Sequence, residues 1–173
     1  METDRDTRPV RNPLPREAVG AGQMTRSAST TIFYHLTPSR PLGAFHRNKA
    51  RTVHTLHKGR GRYVLIHADE VAADAFPGGY GGDVSALESE RWVGKARVET
   101  FVVGHDVAKG ERLQWIVEGG KYKCSFLLPD VEGGKESEEG LLISETVVPG
   151  FEYTDHDFMR EERLEALVTD QQR

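Results

Sequence analysis

Apolar and polar residues alternate over short stretches through most of the chain, a pattern typical of strands that bury one face. Turn residues, such as the Gly-x-Gly at 59–61, separate these stretches at intervals of roughly 8–15 residues. Frequent short strands of this kind predict an all-β sandwich or barrel, and jelly-roll closure is favoured because it hides sheet edges. The eight predicted strands are Thr30–Leu36, Gly43–Asn48, Thr52–His57, Arg62–His67, Arg97–Val103, Arg112–Val117, Tyr122–Leu128 and Leu141–Val148.

The two ends of the chain follow other patterns. Residues 1–29 are polar, with three prolines and a Gly/Ser/Ala stretch, and predict a loosely ordered or swapped arm. Apolar residues recur at helical spacing only near the C-terminus, which predicts a helix within a tail at 159–173. The β domain is therefore expected over 30–158, and the Ala-, Gly- and Asp-rich segment 68–90 predicts a loop inserted in it.

Composition narrows the class of protein. The chain has 173 residues, near the size of one domain, and its single cysteine excludes an internal disulfide framework and a Cys-rich zinc site. No apolar run approaches the roughly 20 residues that span a bilayer. The N-terminal residues are charged throughout and lack the apolar core of a signal peptide. We therefore expect a soluble cytoplasmic protein that does not bind membranes.

Charge is unevenly distributed along the chain, although the net charge is only −4. No acidic residue occurs from Ala18 to Ala68. Two explanations stay open: basic strands lie beside acidic ones, or the basic residues form an electropositive mouth that attracts an anionic small molecule. Nucleic acid is disfavoured because the domain is net acidic and has no recognised binding motif. The basic residues of this stretch are Arg26, Arg40, Arg47, Lys49, Arg51, Lys58, Arg60 and Arg62.

Three blocks of sequence carry a resemblance to a known family. They are GAFHRNKARTVHTLHKGRGRYVLI at 43–66, KGERLQWIVEGGKYKCSFLLPD at 109–130 and LLISETVVPGFEYTDHDF at 141–158. Together they resemble the cupin superfamily, and within it the RmlC-like "cupin 5" family, especially its fungal members. The resemblance implies a double-stranded β-helix (the cupin jelly roll) and a homodimer. It implies no single reaction, because some cupins are metal-dependent oxygenases and others are metal-free sugar epimerases.

The usual cupin metal site can be tested position by position. Two histidines and a glutamate come from the first motif of the family and a third histidine from the second. Here the four positions hold His46, Asn48, Thr52 and Lys123, so one of the four ligands remains. Because a lysine ammonium repels a cation, we expect neither a metal nor another cofactor. A site with His46 and His54 as two ligands is an open alternative, and a metal-dependent oxygenase is the minority hypothesis.

Strand alternation selects the side chains that line the barrel interior. If Thr52 points inward, His54 does too, and the same parity groups His46 with Asn48 and Lys123 with Ser125. Burying such polar groups without partners would cost about 1–3 kcal/mol each, so we expect them to meet water or a polar ligand. The register of the hairpins, which the sequence does not fix, decides two of the candidates. The remaining candidates are Gln114, Tyr63 and Glu145, the last two being those that depend on register.

These residues predict a polar pocket for a small anionic or carbonyl compound such as a sugar derivative. His46 or His54 suits a general base, and Lys123 or Asn48 suits a group that holds a developing enolate oxygen. The predicted function is a metal-independent isomerase, epimerase or lyase, with His46, His54 and Lys123 as catalytic residues. The alternative is a non-catalytic cupin that only binds its ligand. An edge strand or the N-terminal arm is the expected dimer interface.

Overall fold

Strands dominate the computed structural model of the protein, which describes residues 2–11, 25–73 and 87–172. This confirms the all-β fold with a short C-terminal helix. The elements are β1 (Glu2–Arg11), β2 (Thr25–Leu36), β3 (His46–Asn48), β4 (Arg51–Lys58), β5 (Gly61–Ile66), β6 (Val98–Val103), β7 (Gln114–Val117), β8 (Tyr122–Leu127), β9 (Leu141–Val148), β10 (His156–Phe158) and α1 (Glu161–Leu167).

The strands form two five-stranded antiparallel sheets in jelly-roll order. The first sheet has the order β1-β2-β9-β4-β7 and the second has the order β10-β3-β8-β5-β6. Some strands that follow one another in the chain, such as β4 and β5, lie in different sheets, whereas β1 and β2, and β5 and β6, are neighbours in one sheet. Because side chains alternate between the two faces of each strand, the inward residues of both sheets meet in the space between them.

Apolar and aromatic side chains fill one part of the space between the sheets. Leu56 and Ile143 of the first sheet meet Tyr63, Leu65 and Val103 of the second, and all five are buried. Each comes from a position of the alternating pattern that points inward, so the hydrophobic effect fixes the register of the central strands. The inward positions that remain carry the polar groups of the candidate site.

A second apolar cluster covers the outer face of the second sheet. Leu167 and Val168, at the C-terminal end of α1, pack there with Ile66 and Tyr122. Arg163 of α1 is 5% exposed and donates to a Glu88 carboxylate oxygen at 2.8 Å. This helix is therefore held by apolar burial and by a buried ion pair. It is too short to cross a membrane, and no helix in the described ranges is long and apolar enough to do so.

The N-terminal segment differs from its prediction. Residues 2–11 form β1, which pairs antiparallel with β2, and residues 25–29 extend β2 beyond its predicted start. A loosely ordered arm is therefore wrong for these residues. An edge strand needs no continuous apolar face, so its charged sequence lacks the alternation on which the prediction relied. Residues 12–24, and 74–86 of the predicted inserted loop, lie outside the described residues.

Candidate functional site

A cluster of ionisable side chains lies in the barrel interior around the ammonium of Lys123. Its Nζ donates to Oε2 of Glu145 at 2.7 Å and to Nε2 of His54 at 2.9 Å. The hydroxyl of Tyr63 lies 3.0 Å from the same His54 nitrogen. Relative exposure is 0% for His54, 1% for Lys123, 2% for Tyr63 and 5% for Glu145. The four groups thus form one hydrogen-bonded cluster that is shielded from water.

Cross-strand register brings these side chains together. In the first sheet, β4 pairs with β9 so that His54 lies opposite Glu145. In the second sheet, β8 pairs with β3 so that Lys123 lies opposite His46, and with β5 so that Ser125 lies opposite Tyr63. Directly opposite residues on one face of an antiparallel pair have neighbouring side chains. The two sheets therefore contribute one pair of charged or titratable groups each.

Aromatic rings form the wall behind His54. The Trp115 indole stacks on the imidazole with ring centroids 5.1 Å apart and an interplanar angle of 6°. Tyr63 approaches Trp115 edge-on at 4.9 Å and stacks on Phe101 at 5.5 Å. Such packing leaves little freedom for the imidazole to rotate. It holds His54 Nε2 toward Lys123.

Burial and mutual charge set the protonation of the cluster. Burial, followed by the nearby Lys123 charge, lowers the pKa of His54 to about 4. Burial alone would raise the pKa of Glu145, but the Lys123 ammonium and His54 outweigh it and hold this pKa well below its usual value. Burial lowers the pKa of Lys123, while Glu145 opposes that shift. At neutral pH we therefore assign an ion pair between Lys123 and Glu145 beside a neutral His54.

The hydrogen bonds also fix the tautomer of His54. An ammonium can only donate, so Nε2 of His54 must accept and the ring proton resides on Nδ1. This tautomer is inferred from the hydrogen-bond network. The Lys123 ammonium and the Tyr63 hydroxyl, both within 3.0 Å, share the single Nε2 lone pair. His54 is therefore placed to position the Lys123 ammonium.

His46 lies in a different environment at the rim of the cluster. It is only partly buried, and its Nδ1 lies 2.9 Å from the carbonyl oxygen of Ala44. A carbonyl oxygen only accepts, so the proton resides on Nδ1, and the Nε2 lone pair has no donor among the described residues. Burial, followed by the Lys123 charge, lowers the pKa of His46 to about 4, so the ring is neutral at pH 7. His156 stacks on this ring with centroids 5.3 Å apart.

The comparisons with known proteins agree with this architecture. The family described as Cupin superfamily (DUF985) matches residues 1–159. The chain belongs to this cupin family. An uncharacterized protein of Saccharomyces cerevisiae is 39% identical over 170 residues, which cover 96% of this cupin and 70% of the yeast protein. The family resemblance of the three sequence blocks is thereby confirmed.

Two solved structures share the fold of this cupin. A hypothetical protein from Leishmania major superposes with a TM-score of 0.64 at 23% identity, covering 95% of this chain and 78% of that one. A protein from Shewanella oneidensis superposes with a TM-score of 0.62 at 19% identity, covering 96% and 77% of the two chains. At these identities the superpositions establish the fold alone.

Not every predicted site residue of this cupin faces the interior. Gln114 is exposed, and its Nε2 donates to the hydroxyl of Thr55 at 3.3 Å on the outer face of the first sheet. The prediction that it points inward is wrong, because Trp115 and Val117 fill the inward positions of β7. A slip of one residue in the assumed parity moves a side chain to the opposite face.

The other candidates are buried on β3 and β8. Asn48 is 7% exposed, and its Oδ1 finds no hydrogen-bond partner among the described residues. Ser125 is 3% exposed and lies two residues beyond Lys123. His156, by contrast, was not among the predicted residues. It lies on the three-residue β10, paired with Asn48, and such a short strand leaves no periodic signal in the sequence.

Some cupins hold a metal, but the side chains at the corresponding positions of this cupin are poorly suited to bind one. The Lys123 ammonium stands between Glu145 and His54, where it would repel a divalent cation. Asn48 and Thr52 offer weaker ligands than the histidine and glutamate of the usual motif. Across the described ranges, no three His, Cys, Asp or Glu side chains gather closely enough to hold a metal. With Lys123 in place, the residues at this site of the cupin do not fit a divalent metal ion.

Several of the basic residues between Ala18 and Ala68 pair with acidic side chains instead of forming an electropositive pocket entrance. Arg51 pairs with Glu118 at 2.6 Å, and Arg60 pairs with Glu111 at 2.6 Å. These contacts favour the first of the two explanations for the uneven charge, basic strands next to acidic residues. Two further pairs, both largely buried, are Arg47 with Asp157 and Arg26 with Asp155.

Proposed function

We propose that this cupin binds a small anionic or carbonyl compound between its sheets and moves a proton within it without a metal, as an isomerase, epimerase or lyase. One observation carries the proposal. His46 is a neutral imidazole whose Nε2 lone pair meets no donor in the described ranges, and its cross-strand neighbour is the buried ammonium of Lys123. Proton abstraction next to a carbonyl group needs an unprotonated base and a positive charge that favours the enolate, and with a pKa of about 4 His46 is a weaker base than an ordinary histidine.

The chemistry assigns a separate role to each group. Nε2 of His46 takes the proton from the carbon next to the carbonyl. The electron pair of that C–H bond forms a C=C bond, and the π pair of the C=O bond moves to the oxygen, which gives an enolate. Lys123 supplies positive charge that favours this anion. Return of the proton to the other face or to a neighbouring carbon gives an epimer or isomer, and departure of a leaving group gives a lyase product. Glu145 and His54 hold the Lys123 ammonium in place.

A non-catalytic binding cupin is the second candidate. Lys123, Glu145 and His54 satisfy one another by hydrogen bonds and are at most 5% exposed. A cluster whose members are already paired suits recognition by charge and shape as well as it suits reaction. In this case the ligand would bind against His46 and remain chemically unchanged.

Solvent deuterium exchange separates the two candidates. Chelator-treated protein is incubated in D₂O with small keto acids, hydroxy acids and sugar phosphates, and NMR follows both binding and replacement of carbon-bound protons. We expect exchange with the wild-type protein and with His57→Gln, an exposed matched control. His46→Gln should bind the same compound and exchange at least 100-fold more slowly. A compound that binds the wild type without exchange favours the non-catalytic cupin, and activity that returns only with added metal contradicts the proposal.

The homodimer implied by the family resemblance is part of the proposal. Native mass spectrometry of freshly purified protein should report a mass twice the 19.3 kDa of one chain. The same spectrum reports any retained organic compound, which would identify the ligand class. A monomer at micromolar concentration would contradict the dimer and leave the proposed reaction untouched.

A further inference from the structure

The atoms around the Lys123 ammonium are arranged like a coordination site. Oε2 of Glu145 lies 2.7 Å from Nζ and Nε2 of His54 lies 2.9 Å from it. These two acceptor atoms are 3.6 Å apart. The Lys123 side chain is 1% exposed, so the charge it brings is enclosed by protein.

The spacing of the two acceptors suits two ligands of one metal ion. With bonds of about 2.1 Å, two ligands of a tetrahedral zinc ion are about 3.4 Å apart. The observed separation is within a few tenths of an ångström of this value. Nε2 of His54 also carries a lone pair rather than a proton, which is the form of imidazole that binds a metal.

We propose that Lys123 is the resident cation of this site: its ammonium holds the position between His54 and Glu145 that a divalent metal would take, and it keeps metals out. Charge and geometry give Lys123 this role whether the cupin is catalytic or only binds a ligand.

Replacing Lys123 by a shorter ligand should turn the site into a metal site. Without the ammonium, the Glu145 carboxylate remains buried beside His54 with no counter-charge, and a bound cation would restore one. A histidine at position 123 is shorter than lysine by roughly the length of one metal–nitrogen bond, about 2 Å. Its ring nitrogen would then stop near the distance at which a metal could bind all three groups.

Cobalt titration tests the proposal. Co²⁺ is added to the wild-type protein, Lys123→His, Lys123→Met and the double variant Lys123→His/Glu145→Gln, and the visible spectrum and bound metal per chain are measured. Lys123→Met fills much of the space without a charge, offers Co²⁺ only a weak thioether ligand and keeps every surface histidine. We expect Lys123→His to bind one tetrahedral Co²⁺ at least 100-fold more tightly than the wild type or Lys123→Met. The double variant should lose at least tenfold of that affinity.

Two results would overturn the proposal. One is a wild-type protein that binds one Co²⁺ with the tetrahedral spectrum, and the other is Lys123→His binding Co²⁺ no more tightly than Lys123→Met. If Lys123→His does not fold without metal, refolding yields with and without Co²⁺ replace the titration, and equal yields count against the proposal.

Chemical rescue of Lys123→Ala provides a second test. Ethylammonium should raise the thermal midpoint of this variant by several degrees, because it restores the missing cation. Propanol at the same concentration, similar in size but uncharged, should not. Equal effects of the two compounds would contradict the resident-cation role.

Discussion

The ion pair between Lys123 and Glu145 yields a quantitative prediction through Glu145→Gln, which removes the negative charge and keeps the shape. At 2.7 Å and an effective dielectric constant of about 20, the attraction between the two charges is about 6 kcal/mol. Desolvation of both groups offsets much of this energy. The net effect of the substitution therefore depends on what Lys123 does once its partner is gone.

In the Glu145→Gln variant, Lys123 can stay charged or lose its proton. The free energy of losing the proton sets an upper limit on the cost of the substitution. Moving a lysine from its unfolded pKa of about 10.4 to the neutral form at pH 7 costs about 5 kcal/mol. Removing one partner of a buried ion pair typically costs about 3–5 kcal/mol. We therefore expect Glu145→Gln to lower the free energy of unfolding at pH 7 by about 3–5 kcal/mol.

Urea unfolding followed by circular dichroism measures this loss. The matched control is Glu118→Gln, which breaks an ion pair of similar length with Arg51 where both side chains are more than half exposed. It should cost less than about 1 kcal/mol. If Lys123 loses its proton in the folded variant, the unfolded chain binds one proton more than the folded one above pH 7, and the stability should rise toward that of the wild type by up to about 1.4 kcal/mol per pH unit. If Lys123 stays charged, the deficit should be independent of pH. Equal losses in the two variants would refute the reasoning.

Three further predictions concern other residues of the barrel. The pKa values of His54 and His46 are both about 4 in the folded protein, against 6.5 for an unperturbed histidine, so the stability that their neutral rings contribute is present above pH 6.5 and is lost as the pH falls toward 4. Between pH 7 and 4.5 the free energy of unfolding in urea should drop by about 2–3 kcal/mol for each of the two, and a flat profile would contradict this. Gly119→Ala should cost about 2 kcal/mol or more in thermal unfolding because its Cβ would lie 1.8 Å from the carbonyl oxygen of Lys49, whereas Gly94→Ala, with open space around it, should be nearly neutral. The buried Cys124 thiol, whose pKa burial raises to about 11, should react with a disulfide reagent at least 100-fold faster in denaturant than in the native protein; similar rates would show that the barrel opens readily.

The central strands could be predicted from the sequence because each buries one face. The prediction of β9 over Leu141–Val148 agrees with the structure, and that of β4 over Thr52–His57 is one residue short at each end. The two strands that the prediction missed, β1 and β10, lie at sheet edges. A charged strand such as β1 and a three-residue strand such as β10 lack an alternation of apolar and polar positions. Only the pairing of such a strand with a neighbour reveals it.

The site was less accessible to sequence reasoning than the fold. Parity along one strand is enough to group His54 with Thr52, and both are buried. Tyr63 and Glu145 are buried too, but their inward orientation depends on hairpin register. The partners of Lys123 lie 22 and 69 residues away along the chain, so no local pattern relates them. The cluster is a property of how the two sheets are paired and packed.

The charged strand β1 also determines how this protein behaves in a crowded solution. It closes one edge of the first sheet, and its Asp6 and Arg8 side chains pair with each other. Charges and a proline on an edge strand discourage further strands from adding to it. The twelve-residue β2 behind it has no charged residue from Ser27 to Tyr34 and includes Ile32 and Phe33. A chain trimmed of β1 would expose that long uncharged edge to other copies of itself. It should aggregate by strand addition even if the cluster around Lys123 stays intact.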